Sequence, residues 1–234
     1  MDPDFPKAML PNIEKFLEQD HHRPPGYNIY DDVFDTSCFY PLQRKRELAT
    51  MIATARDANP KVIYEIGADK GGSLYHWCKC FPLVEKIIAC EIRGTPYRYL
   101  FEKAFPEIKF LWIEGSSYDK ENVERVVAFL GEKELDVLFI DGDKSAFHVD
   151  FDIYQPMMAD TGIVFMHDIR DDGPRQSFEL LQKRGWKAGI ILDESEAHEA
   201  VAREKRGEPL TSEHEYWLRY WKGASCGVGV FRMS

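Results

Sequence analysis

Apolar residues fall along the chain in short dense runs, separated by polar segments with helical spacing. KVIYEIG (61–67), KIIACEI (86–92), KFLWIEG (109–115), DVLFIDG (136–142) and TGIVFMHDI (161–169) are rich in Ile, Val, Leu and Phe. They read as strands that are apolar on both faces, the pattern of a buried parallel sheet. Between them lie GSLYHWCKCF, PYRYLFEKAF, KENVERVVAFL and AFHVDFDIYQPMM, each a helical segment. A further helix, GPRQSFELLQKRG, leads to KAGIILD, and CGVGVFRM ends the pattern as a strand. This alternation predicts an α/β fold, a doubly wound, mostly parallel, seven-stranded Rossmann-like sheet.

Upstream, PLQRKRELATMIATARD places Leu42, Leu48, Met51, Ile52 and Ala55 at helical spacing and stops before Asn59-Pro60. Residues 6–20 predict a short helix. Residues 1–58 are therefore expected to form an N-terminal helical extension, and 59–234 the Rossmann-like domain. Residues 193–222 interrupt the last two strands; they are densely charged, then aromatic at Tyr216, Trp217, Tyr220 and Trp221. That insertion is either an excursion beside a site or interface, or a solvated helix with one packed aromatic face.

Composition narrows the function classes. The 234 residues carry 30 Lys+Arg against 40 Asp+Glu, a formal charge of −10, which opposes nucleic-acid binding. No apolar run approaches the ~20 residues of a membrane span, and no secretory signal opens the sequence, so a cytoplasmic protein is expected. The five cysteines lack paired CxxC spacing and read as reduced core thiols, not as a disulfide framework or a zinc site.

The acids matter most where strands end: Glu65, Glu91, Glu114, Asp141 and Asp168 each close an apolar run. In open α/β sheets ligands bind beyond those ends. The first turn, Glu65-Ile66-Gly67-Ala68-Asp69-Lys70-Gly71-Gly72-Ser73, is neither GxGxxG nor a P-loop, and Asp69 inside it would repel a pyrophosphate. A zwitterionic sulfonium ligand without phosphate, S-adenosylmethionine, suits it better. Gly67, Asp69, Gly71 and Ser73 would cradle that ligand, and Glu91 would accept hydrogen bonds from its ribose. Glu65 either faces its amine or orders the glycine loop. Ser116 and Asp119 in EGSSYD either meet the adenine or start the next helix, and Ser117 between them is expected to bind the cofactor.

Asp141-Gly142-Asp143-Lys144 and His167-Asp168 end adjacent strands, ~5 Å apart, and converge on one ion. Asp141 and Asp168 offer hard oxygen ligands for Mg²⁺; His167 would admit Mn²⁺ or Fe²⁺. Lys144 beside such an ion would have a depressed pKa and serve as general base, with His148, one helical turn on, as the reserve.

IYEIGADKGGSLYHW and DVLFIDGDKSAFHVDFDIYQPMMADTGIVFMHDI resemble the class I S-adenosylmethionine-dependent methyltransferases. Within these they resemble the metal-dependent O-methyltransferases, most of all the cephalosporin hydroxylase/cephamycin methyltransferase-like group. The resemblance spans residues 40–192. It implies cofactor positions at Gly67, Gly71 and Glu91, a first metal acid at Asp141, a second metal pair at His167-Asp168, and a base position at Lys144, where the nearer group commonly carries His. The implied activity is methyl transfer to a hydroxyl of a small molecule, a sugar or natural product, with a divalent metal (Mg or Mn). A nicotinamide-dependent Rossmann oxidoreductase and a non-catalytic S-adenosylmethionine-binding module are the rivals. Aromatic residues Tyr27, Tyr30, Phe34, Phe39 and Tyr40, with the 216–221 cluster, would line an acceptor pocket or bury a homo-oligomer contact.

Overall fold

The computed structural model describes residues 43, 45–56, 58–191, 203–210 and 227–233. The expected helix at 6–20, the aromatic residues at 27–40, and the 193–222 insertion apart from 203–210 lie outside them.

All seven expected strands form: β1 (Val62–Ile66), β2 (Lys86–Glu91), β3 (Lys109–Glu114), β4 (Leu135–Ile140), β5 (Met158–Met166), β6 (Ala188–Ile191) and β7 (Val228–Arg232). They make one sheet in the order β3-β2-β1-β4-β5-β7-β6. Neighbours from β3 to β5 pair in parallel, whereas β7 runs antiparallel to both β5 and β6. The helices are α1 (Lys45–Arg56), α2 (Gly72–Cys80), α3 (Arg98–Ala104), α4 (Lys120–Leu130), α5 (Phe147–Tyr154) and α6 (Asp172–Lys183).

Strand alternation explains why the runs are apolar on both faces. Ile63, Ile87, Val137, Phe139 and Phe165 point to one side, where Leu48 and Ile52 of α1, Trp77 of α2 and Phe101 of α3 cover them. Val62, Tyr64, Ile88, Leu138 and Val164 point to the other, under Val126 of α4, Phe151 of α5 and Leu181 of α6. Helices thus cover both faces, as the doubly wound arrangement requires. α1 belongs to the first layer: Leu48, Met51, Ile52 and Ala55 are fully buried in the same core. Among the described residues no helix is long and apolar enough to cross a membrane.

The strand order reverses between β1 and β4, since β2 and β3 lie on one side and β5 on the other. That reversal opens a crevice at the carboxyl ends of the strands.

Candidate active site

The turn after β1 is set by two close approaches. Gly67 has φ +87, and a Cβ there would lie 2.3 Å from the Asp141 carbonyl oxygen. Gly71 has φ +90, and its Cβ would meet the Phe101 ring at 2.5 Å. Only glycine suits both positions. Backbone bonds from Gly67 N to Cys90 O (2.8 Å), from Asp141 N to Ile66 O (2.8 Å) and from His167 N to Ile140 O (3.0 Å) then align the tips of β1, β2, β4 and β5. Asp69 and Asp168 both hold positive φ, +41 and +53. Such backbone costs on the order of 1 kcal/mol for a non-glycine residue and tends to occur at functional sites.

These tips border a cleft of about 730 Å³. Of the expected site residues, Gly67, Asp69, Ser73, Glu91, Ser116, Ser117, Asp141, Lys144, His167 and Asp168 line it. Glu91 accepts a hydrogen bond from Asp69 N at 3.0 Å, joining the glycine turn to β2. Across the mouth, the Tyr118 hydroxyl donates to Asp143 Oδ2 at 3.2 Å.

Five expected positions fall elsewhere; the first, Gly71, abuts the Phe101 ring and does not line the cleft. Glu65 is buried inside β1, because the sheet is covered on both faces, and it accepts a hydrogen bond from Ser73 Oγ. That contact ties it to the end of the glycine turn. Burial pushes its pKa up to about 8, against the opposing Ser73 hydrogen bond and with help from the Asp141 charge. His148 does not reach the cleft. Lys144 precedes α5, so the two are not one helical turn apart, and the His148 ring bonds Ser177 of α6 at 3.0 Å. Glu114 packs against the turn at Gly94 and is not part of the cleft wall. Asp119 occupies the N-cap position of α4 without a side-chain cap bond.

The raised pKa of Glu65 has a stability consequence. The unfolded acid loses its proton near its ordinary value of 4.5, whereas the folded one keeps it to about 8. Over that window the folded state binds more protons, so stability falls as pH rises. Glu65→Gln is expected to flatten this decline. Its urea midpoint should gain on wild type from pH 5 to pH 8 and gain nothing beyond; parallel profiles would refute this.

A charge cluster sits where β4 and β5 end. Lys144 Nζ lies 2.5 Å from Asp141 Oδ1 and 2.6 Å from Asp168 Oδ2. His167 Nδ1 is 3.2 Å from an oxygen of each acid. Burial works against the charge on Asp141, but His167 and Lys144 outweigh it and hold the carboxyl below its usual range. Asp168 is lowered in the same way, with the hydrogen bond from His167 leading the favourable contributions. Burial also disfavours the Lys144 ammonium, yet the two carboxylates raise its pKa above the ordinary lysine value. The groups that face Lys144 here are anions, whereas the expected depression belongs to the cluster with an ion bound. Ligand atoms of Asp141, His167 and Asp168 lie within 4.8 Å of one another. Two ionised carboxylates and an imidazole form a donor set that fits Mg²⁺ or Mn²⁺.

Two polar groups here carry no motif. The Gln43 side chain, just before α1, donates from Nε2 to Asp141 Oδ2 at 2.9 Å and lines the cleft. Asp150 of α5 lies fully buried behind the wall and accepts from Ser117 Oγ at 2.5 Å; burial pushes its pKa up to about 6. The acidic pattern around DFD signalled Asp150 weakly, and nothing in sequence signalled Gln43.

Residues 64–169, a little under half of the chain, match the family model described as a methyltransferase domain. No curated protein matches the chain in sequence. Among solved structures, the O-methyltransferase from Bacillus cereus in complex with SAH is 13% identical, with a TM-score of 0.56 over 89% of this chain and 92% of that one. The SAH-bound methyltransferase PaMTH1 of Podospora anserina is 18% identical, with a TM-score of 0.53 over 98% and 97%. MycE, the methyltransferase of the mycinamycin biosynthetic pathway in complex with Mg and SAH, is 18% identical, with a TM-score of 0.51 over 89% and 54%. The chain thus shares the fold of these methyltransferases, and residues 64–169 are similar to a methyltransferase domain.

Proposed function

We propose that this protein transfers the methyl group of S-adenosylmethionine to a hydroxyl of a small molecule, a sugar or natural product, with help from a divalent ion, Mg²⁺ or Mn²⁺. The observation that carries the reading is one cleft in which the glycine turn and Glu91 stand beside the cluster of Asp141, Lys144, His167 and Asp168. The cofactor brings an already activated methyl on a sulfonium, displaced in line by the acceptor oxygen with release of a neutral thioether. Catalysis is then mainly positioning.

Within that scheme Glu91 takes the ribose hydroxyls, and Gly67, Asp69, Gly71 and Ser73 shape the bed for the amino-acid end. Ser116 and Ser117 border the adenine side. Asp141, His167 and Asp168 would hold the ion, which would supply positive charge to acidify the acceptor hydroxyl. Lys144, which stands between Asp141 and Asp168, would be the base that takes the hydroxyl proton when the ion is bound. The metal-bearing MycE supports this half of the reading, as does the resemblance to the cephalosporin hydroxylase/cephamycin methyltransferase-like group. A reduced cytosolic setting suits the buried thiols of Cys78 and Cys90. Homo-oligomerisation remains part of the proposal through the aromatic segments outside the described residues.

The decisive experiment is a methyl-transfer screen against sugars, catechols and polyketide aglycones, with Mg²⁺, Mn²⁺ or EDTA. Transfer that EDTA suppresses is expected; transfer indifferent to EDTA removes the metal, and failure to bind SAH removes the cofactor. Glu91→Gln should weaken SAH about tenfold or more by calorimetry, the scale of a lost charged hydrogen bond. An unchanged affinity would take Glu91 out of the ribose site.

A further inference from the structure

We propose that Gln43 binds the cofactor: with Nε2 committed to Asp141, it presents Oε1 as an acceptor to the ammonium group of S-adenosylmethionine. The inference deepens the methyl-transfer reading and rests on its cofactor half.

The amide has one orientation. Asp141 is a carboxylate that also receives Lys144, so it only accepts, and the end of Gln43 at 2.9 Å from Oδ2 must be the donating nitrogen. The carbonyl oxygen is then the other end. Gln43 is 6% exposed, and its Oε1 is buried with no hydrogen-bond partner among the described residues. A buried carbonyl left unpaired is costly, so sites of this kind are built around a donor. Gln43 lines the cleft, and we take the donor from what fills it.

Topology selects which donor. Glu91, placed on the ribose, sits at the tip of β2. Gln43 is tied to the tip of β4, on the opposite side of β1 in the sheet, beside the junction where the Asp141 carbonyl abuts Gly67. A cofactor with its ribose at β2 reaches that junction with its amino-acid end. The strongest donor there is the ammonium. The same carbonyl would also compensate its charge close to Asp141.

The test compares two ligands. SAH carries the amino-acid group, whereas 5′-methylthioadenosine is the nucleoside thioether without it. In Gln43→Met, which keeps the side-chain length and loses both polar atoms, SAH affinity by calorimetry should fall about tenfold. The affinity for 5′-methylthioadenosine should stay within about twofold, since it makes no ammonium contact. Equal losses for both ligands would mean that Gln43 only supports the fold, and no loss for either would mean that its carbonyl meets another donor; each overturns the proposal. A wild-type protein that binds neither ligand fails earlier, at the cofactor reading itself.

Discussion

Asp141→Asn is expected to lower turnover by about a thousandfold on any acceptor found by screening, and to abolish Mn²⁺ binding by calorimetry. The substitution keeps the side chain's size and removes its charge. One carboxylate serves three partners here: Lys144 and His167 through Oδ1, Gln43 through Oδ2. Losing its charge weakens the cation cluster and slackens the Gln43 amide together. Cofactor binding should survive with at most about a tenfold loss, the size of the Gln43 contact, because Gly67 meets the Asp141 backbone and not its side chain. Wild-type turnover in this variant would sink the metal assignment. Complete loss of SAH binding would show that Asp141 acts chiefly through the cofactor.

Among the described glycines, Gly67→Ala should be the most damaging substitution. Its Cβ would sit 2.3 Å from one backbone atom and 2.8 Å from another, Asp141 O and Gly142 N, and backbone cannot turn aside as a side-chain tip can. Relief requires β1 and β4 to part at their ends, where Asp141 N bonds Ile66 O. To that is added the left-handed strain of roughly 1–2 kcal/mol. Together we expect a loss of about 4 kcal/mol and a melting temperature lower by about 10 °C. Gly185→Ala is the control: φ there is +97, but nothing lies within 4 Å of a built Cβ. It should cost only the strain. Similar losses at both positions would show that conformation alone, not the approach of Asp141, explains Gly67.

The layered sheet was legible because parallel strands buried on both faces leave unbroken apolar runs, and every one of them became a strand. The cleft followed from the same pattern, since strand ends are where ligands bind in such sheets. What stayed hidden depended on side-chain direction. Glu65 looks like its neighbours in the string of terminal acids, yet it stands one residue short of the strand end, on a face that α2 covers. His148 has helical spacing from Lys144 only if both belong to one helix, and α5 begins after Ala146. Gln43 lies in no periodic pattern; a contact 98 residues away in sequence gives it its place.

The reversed strand β7 sets an order of assembly. β1, β2 and β3, which carry the glycine turn and Glu91, are consecutive units that can dock as each leaves the ribosome. β5 gains its second neighbour only when β7, beyond residue 227, arrives and pairs Phe165 with Val230. Until then His167 and Asp168 stand on an open sheet edge, the kind that sticks to other chains. The rim of the cleft built on β1 to β3 is therefore finished early, and the rim that carries His167 and Asp168 waits for β7.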